Sequence, residues 1–466
     1  MMGSRVMGVL ISCLALFGLC SCGGTNSSAV PVGPTPSASI FSIGTDAPLP
    51  SVVSCEVTVT GVTVFDGTNN VSVLNTPQVV DFAQLSGLHQ LLDLSAVPPG
   101  TYTSATITLS APVIGFIDTS VSPPIVNTIN GTLMQTSATS TFVKPFVLVD
   151  GDLIGLRMDF DLRQSLQTDN TGQVTGVVNP TFDMKLLDAN DANVSIDDFH
   201  GGVVGVTGGN TFTMQGPAGR QWNVTVSDTT VMDDPSEPVS SFTTSTIVEV
   251  SGQLDPVTHD IDASEIEVLS NDGFYLGGLF TSIRPPLGPA TQADLYVRVE
   301  LPDIAGITNG QIYTLNLDGS EQYKIAHADP AITALIFNNS ALAAGQRVGV
   351  GGKLVTTNGV ADLTVHRVVL KRQGQGGTWV PGSTVITSNN AGSFQFTDNW
   401  TAGVLLPEPL TIITTNNTNF VGLSGLSGLT GSAPISIRVV GLVLINPATS
   451  QPVMVARRVE ELTASN

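Results

Sequence analysis

The sequence is short of charge, of usable cysteine and of aromatic rings. Only 12% of its 466 residues are charged, and just 17 of them are basic against 38 acidic, for a net charge of −21. A surface with that balance repels phosphate backbones and anionic headgroups, which argues against a nucleic-acid partner. Three of the four cysteines, Cys13, Cys20 and Cys22, fall in the first 22 residues and leave Cys55 alone in the body, so no disulfide framework can form. The five histidines (His89, His200, His259, His327 and His366) stand singly, with no HxH or HxxxH spacing, and supply no zinc ligand set. Walker loops, dinucleotide fingerprints and G-x-S-x-G are missing; Gly425-Leu426-Ser427-Gly428-Leu429 lacks the final glycine of the last. Sustained helical periodicity is scarce as well.

Gly, Ser, Thr, Asn and Val are plentiful, the mixture of short strands and many turns. At this length a single core is too small a unit, and about three or four domains are expected.

Arg5 followed by the uncharged run Val6 to Leu19 and a small-residue segment has the three-part form of an export signal. The run is too short to cross a bilayer, which takes about 20 apolar residues. Leu19-Cys20-Ser21-Cys22 resembles the bacterial lipoprotein box, in which the thiol of a cysteine after a small residue is acylated and becomes the first mature residue. Ser21 before Cys22 fits that box better than the bulky Leu19 before Cys20, so Cys22 is the expected lipidation site and Cys20 the alternative. Residues 1–21 then read as a lipoprotein signal peptide. Residues 22–38, rich in Gly, Ser, Thr and Pro, read as a flexible tether. The mature chain would be anchored to the cell envelope by lipid, and the absence of Asp after Cys22 points to the outer membrane if the host is Gram-negative.

From Ser39 the pattern becomes strand-like, clearest at Val57, Val59, Val62 and Val64, with a turn at Gly67 to Asn70. Ala83 to Leu94, with Leu85, Leu88, Leu91 and Leu92, reads as a helix stopped by Pro98-Pro99-Gly100. Strands resume at Tyr102 to Leu109, Phe146 to Val149 and Leu156 to Phe160. The expected fold of 39–198 is a β-sandwich. Asp46-Ala47-Pro48, Pro99-Gly100-Thr101-Tyr102, Asp159 to Leu162 with Ser165, and Asn179-Pro180 resemble the bacterial domain of unknown function 4382 over about residues 38–198. The resemblance implies a secreted or lipid-anchored envelope protein and assigns no activity.

The remainder repeats. Val248 to Leu254, Val348 to Leu354 and Ile437 to Val443 are the same strand with one glycine in register, Gly252, Gly352 and Gly441. Each is followed by a final strand (Ile266 to Val268, Val365 to Val368, Val455 to Val459) and preceded by a glycine-opened aromatic strand (Gly209 to Phe212, Gly310 to Tyr313, Gly392 to Phe394). A glycine held inside a strand marks a bulge or barrel corner. Three small β-barrel repeats are therefore expected, at 199–272, 273–373 and 374–466, making the whole chain all-β. The first, and more loosely the others, resembles the bacterial domain of unknown function 5666. The insertion Gly422 to Gly431 reads as a mobile loop.

Candidate chemistry is thin. Asp188, Asp191, Asp197 and Asp198 fail the EF-hand pattern, which would need glycine where Asn193 stands and Glu where Phe199 stands, and read as solvated linker acids before they read as a looser calcium site at an interdomain junction. Asp159 and Asp161 share a strand face and read as edge solvation before they read as a glycosidase pair. Trp222, Trp379 and Trp400 read as core before sugar platforms. No catalytic residue, cofactor or metal ligand is assigned. The expected function is a non-enzymatic binding, display or scaffold module, joined to the membrane through its lipid and taking an unidentified envelope polysaccharide or protein partner. The alternative is a carbohydrate-processing or carbohydrate-binding accessory acting on envelope polysaccharide.

Overall fold

A computed structural model describes residues 38–462 apart from 48–51, 86–88, 119–124, 171–172, 189–194, 217–218, 235, 256, 272, 287, 303, 327–334, 358–359 and 399–404. Cys20, Cys22, the signal and the tether through residue 37 lie outside the described residues. Residues 37–466 form one compact unit.

In chain order its first strands are β1 (Ala38–Ala47), β2 (Val52–Phe65), β3 (Asn70–Ser72), β4 (Gln78–Asp81), β5 (Gln90–Val97), β6 (Gly100–Leu109) and β7 (Val113–Asp118). They continue with β8 (Ile125–Asn130), β9 (Thr132–Leu133), β10 (Ser137–Leu148), β11 (Leu153–Asp161), the single helical turn α1 (Leu162–Ser165), β12 (Leu166–Thr168), β13 (Val174–Val178) and β14 (Phe182–Asp188). A four-stranded sheet, β14-β11-β1-β5, faces a seven-stranded one whose path is β10-β6-β2-β7-β8, with β3 and β4 also paired to β2. Ile40, Val57, Leu92, Ile107 and Phe160 from both sheets share one core, so this is the expected sandwich. Tyr102 is buried beneath β6 and its hydroxyl donates to Pro98 O at 2.7 Å.

The four-stranded sheet is apolar on both faces. Neighbouring residues on a strand point to opposite sides, so Ile40 and Leu92 enter the sandwich core while Phe41 and Leu91 enter a second core with Phe199, Trp222 and Val250. This corrects the helix expected over Ala83 to Leu94. Phe82–Gln84 makes one 3-10 turn and Leu91 and Leu92 lie in β5; Leu88 lies outside the described residues. A strand buried on both faces carries leucines at spacings that imitate a helical stripe.

The second core belongs to a closed barrel of β15 (Ile196–Val206), β16 (Thr211–Gln215), β17 (Gln221–Met232), β18 (Ile247–Leu254) and β19 (Ile261–Ser270), ordered β15-β16-β17-β19-β18. β17 and β19 are parallel and the other pairs antiparallel. Next come β20 (Gly273–Arg284), β21 (Gln292–Leu301), β22 (Ile312–Asn316), β23 (Gln322–Ile325), β24 (Arg347–Thr357) and β25 (Val360–Leu370), in a six-stranded sheet ordered β22-β21-β20-β24-β25-β23. Last are β26 (Gln373–Trp379), β27 (Val385–Ser388), β28 (Ala391–Asp398), β29 (Leu410–Val421), β30 (Ser436–Asn446) and β31 (Gln451–Glu461). There the pairing of β26 with β28 closes a ring β26-β28-β29-β31-β30, with β27 attached outside to β28.

The three sheets are versions of one pattern. β17 lies parallel to β19, and β29 parallel to β31, and each parallel pair slips register by several residues, between Val226 and Val231 and between Thr414 and Asn419. In the middle sheet that strand is cut in two, with β22 on one edge and β23 on the other, still parallel to β25. The expected match of Gly310 to Tyr313 with the aromatic strands at Phe212 and Phe394 therefore fails by one strand: Tyr313 lies in β22, the counterpart of β17, whereas Phe212 and Phe394 lie in β16 and β28. The repeated glycine does mark a bulge in every case, at Ser251/Gly252, Gly351/Gly352 and Val440/Gly441. A Cβ on any of the three would fall far inside contact distance of a carbonyl oxygen on the paired strand (Asp262, Thr364 or Val455).

The glycine-rich insertion is a packed plug rather than a mobile loop. Leu426–Thr430 forms a 3-10 segment, and Leu426 and Leu429 are fully buried with Trp379 and Phe394. Val239 and Phe242 occupy the same place between β17 and β18, and Phe337 and Leu342 between β23 and β24. Glycines let the backbone turn tightly enough to insert both leucines, Gly425 doing so at φ 92°.

Candidate functional site

Basic side chains are few, and among the described residues Arg220, Arg298, Lys324, Arg347, Arg367 and Lys371 lie at the seams between sheets. Arg220, from the barrel, pairs with Asp93 of β5 and stacks 4.3 Å over Trp222. Arg367 of β25 reaches Glu237 at 2.7 Å, and Lys324 of β23 pairs with Asp234 and with Glu237. The hydrogen bond from Lys324 holds the Asp234 carboxyl well below the usual range. Lys371, in the link between β25 and β26, is buried with its ammonium 2.6 Å from Glu267 and 3.1 Å from Glu249. Burial would lower its pKa, but the two carboxylates outweigh burial and raise it. Breaking such a pair strands a charge away from water at a cost of about 3–5 kcal/mol.

Where sandwich, barrel and middle sheet meet, a different set of charged groups surrounds a cavity of about 300 Å³. Glu56 of β2 and Asp81 of β4 enter it from the sandwich, Asp197, Asp198 and His200 of β15 from the barrel, and Arg298, Glu300 and Arg347 of β21 and β24 from the middle sheet, with Asn309 on the loop before β22. Asp81 is held by Arg298 at 3.3 Å and by Cys55 N at 2.7 Å. Asp198, in the left-handed region at φ 49°, pairs with Arg347 at 2.7 Å. Burial lowers the Arg298 pKa, with Asp81 opposing. His200 Nε2 lies 2.7 Å from Glu249, linking the cavity to Lys371. Tyr275, stacked on His200, is raised by burial.

Among the wall atoms buried without a hydrogen bond are the acceptors Glu56 Oε1 and Asn309 Oδ1 and the nitrogens Arg298 Nε and His200 Nε2, the nitrogens alone lying in ion-pair reach of carboxylates, Asp81 and Glu249. Burial first and the nearby Asp81 second push the Glu56 carboxyl up to about 7, with Arg298 opposing.

The residues singled out in the sequence fall elsewhere or have other tasks. Asp161 caps α1, accepting from Gln164 N at 3.0 Å. Asp159, expected at a solvated strand edge, is substantially buried, and burial raises its carboxyl pKa against the pull of Arg438 and Arg157. Neither lines the cavity. Asp197 and Asp198 are not solvated linker acids: Asp197 accepts from His89 N at 3.2 Å and Asp198 carries Arg347. Asp191, His327 and Trp400 lie outside the described residues, as does the side chain of Asp188. Trp222 and Trp379 are core, Trp379 donating to Thr384 Oγ1 at 3.0 Å.

Sequence reading passed over Glu56, Arg298, Asn309, Arg347 and Lys371. Glu249 between Val248 and Val250, and Glu267 between Ile266 and Val268, sit on the beat that alternation leaves to solvent, so their burial by a second sheet left no mark in the sequence.

Fold and seams together define a multi-sheet β protein welded by buried ion pairs. Within it, residues 42–175 match the family described as Domain of unknown function (DUF4382), a stretch running from β1 into β13. No curated protein matches the chain.

Proposed function

We propose that the protein is a lipid-anchored cell-envelope protein, acylated on Cys22, whose sandwich and three barrel-like repeats, similar to the bacterial domain of unknown function 5666, serve as a non-enzymatic binding, display or scaffold module. The observation that carries this reading is the use of scarce cations as seam fasteners. Buried pairs such as Lys371 with Glu249 and Glu267 tie the barrel to the strands that follow it within the compact unit of residues 37–466, as suits a protein presented from a tether. The burial of Trp222 and Trp379 takes away two of the aromatic faces on which a sugar-binding surface could draw.

Metabolic labelling with a palmitate analogue tests the anchor. The wild type should take up label and partition into membranes. Cys22→Ser should lose both properties and Cys20→Ser neither. An unlabelled wild type that stays soluble removes the reading. Protease treatment of intact cells then assigns the outer surface if the body is released and the periplasm if it is protected.

A further inference from the structure

We infer that the cavity between sandwich, barrel and middle sheet is a binding site for a small organic cation bearing a primary ammonium, held by Glu56 and Asn309. The proposal rests on the binding part of the function given above, not on the anchor.

Three observations converge on this chemistry. The cavity, at about 300 Å³, has the size of the smaller ligand sites. Its wall carries five carboxyl groups, Glu56, Asp81, Asp197, Asp198 and Glu300, against the two guanidinium groups of Arg298 and Arg347, beside His200. Both arginines are already engaged, Arg298 with Asp81 and Arg347 with Asp198 and, at 2.8 Å, Arg372 O. An anion would therefore have to compete with built ion pairs. Of the wall atoms buried without a hydrogen bond, Arg298 Nε and His200 Nε2 each lie in ion-pair reach of a carboxylate, at 3.3 Å from Asp81 and 2.7 Å from Glu249, whereas the acceptors Glu56 Oε1 and Asn309 Oδ1 stand in no ion pair. Leaving a buried acceptor unmet costs about 1–3 kcal/mol, and a group that brings several N–H donors and one positive charge satisfies both atoms. An ammonium does so, whereas a quaternary ammonium has no N–H to offer.

The charge of Glu56 sets the pH response. It shares the cavity wall with Asp81 from β4, Arg298 and Glu300 from β21, Asp197, Asp198 and His200 from β15, and Arg347 from β24. With its carboxyl at about 7, Glu56 is ionised and ready for a cation above that pH and protonated below it.

Calorimetric titration of the full chain with 1,4-diaminobutane decides the matter. Saturable binding of one equivalent is expected at pH 8, at least tenfold weaker at pH 5.5. Glu56→Gln and Asn309→Leu should each weaken it at least tenfold while keeping the circular dichroism of the folded wild type; if one variant does not fold, the other decides. Tetramethylammonium should not bind. Absence of saturable heat at pH 8, equal binding of tetramethylammonium, or unchanged affinity in the folded variants overturns the site. Glycerophosphoethanolamine as a parallel titrant separates the sources: tighter binding than diaminobutane assigns a lipid headgroup, weaker binding a free amine, and either upholds the ammonium. Acylation labelling reads the anchor and this titration reads the ligand, so each can fail without the other.

Discussion

The closed barrel β15 to β19 and the middle sheet β20 to β25 use the same strands in the same order, yet one closes and the other stays open. The difference lies in how the third strand crosses its interruption. In β17, Thr230 folds back so that its hydroxyl donates to Ala263 O at 2.6 Å and accepts from Ser227 N at 2.9 Å. Thr418 does the same in β29, donating to Ala456 O at 2.7 Å and accepting from Thr415 N. In the middle sheet Glu321 takes that place. Its carboxylate accepts from Asp318 N at 2.6 Å and Gly319 N at 3.0 Å, satisfying the turn without bridging to β25. The threonine tie is present in both continuous bulged strands and is replaced by Glu321 where the strand separates into two edges.

The largest effect should come from the shared glycine. Gly252→Val and Gly441→Val push a side chain into the paired backbone and should each destabilise by about 4 kcal/mol, read as a drop in the urea midpoint. Gly352→Val should do equal damage, because its clash with Thr364 O lies in a strand pair that the open sheet keeps; a markedly milder loss would show that open edges provide slack. The plugs come next: Leu426→Ala should cost about 3 kcal/mol and Leu342→Ala, slightly less buried, about 2 kcal/mol, by thermal melting.

A pH series addresses the seam of the middle sheet. Glu56 prefers its proton in the folded state, with its carboxyl raised from 4.5 to about 7. Its contribution is favourable below about 4.5 and is lost as pH rises through 7. Glu56→Gln should therefore leave the melt unchanged at pH 4 and raise stability at pH 8 by about 2 kcal/mol, a figure reduced because part of the carboxyl still meets solvent. The smallest effect belongs to the closure device itself: Thr418→Val should lose about 1 kcal/mol, and Thr230→Val the same, as faster amide exchange confined to the strand pairs they bridge.

Much of the architecture was legible because alternation and glycine register are local. Val57 to Val64 announced β2, and Gly252, Gly352 and Gly441 announced their bulges. What escaped needed long-range pairing. Nothing near Leu91 reveals that its partners are Phe199 and Trp222, so a two-faced strand passed for a helix. Leu426 and Leu429 looked like loop residues because the core they fill is made by β28 to β31. The cavity was invisible for the same reason, since Glu56, Asp198 and Arg298 come together only when three sheets meet. The recurrence of Thr230 and Thr418 was visible in principle, in Ser227-Asp228-Thr229-Thr230 beside Thr415-Asn416-Asn417-Thr418.

The two-faced character of β1 also dictates an order of events. Its parallel partner β11 lies more than a hundred residues downstream, at Ser39 with Leu153 through Ala47 with Asp161, and its outer face is covered only when Phe199 and Trp222 have been made. Contacts so distant in sequence form slowly, and exposed apolar strands invite aggregation while they wait. During synthesis, β1 emerges ahead of every strand it packs with and stays unfinished until the barrel behind it has closed.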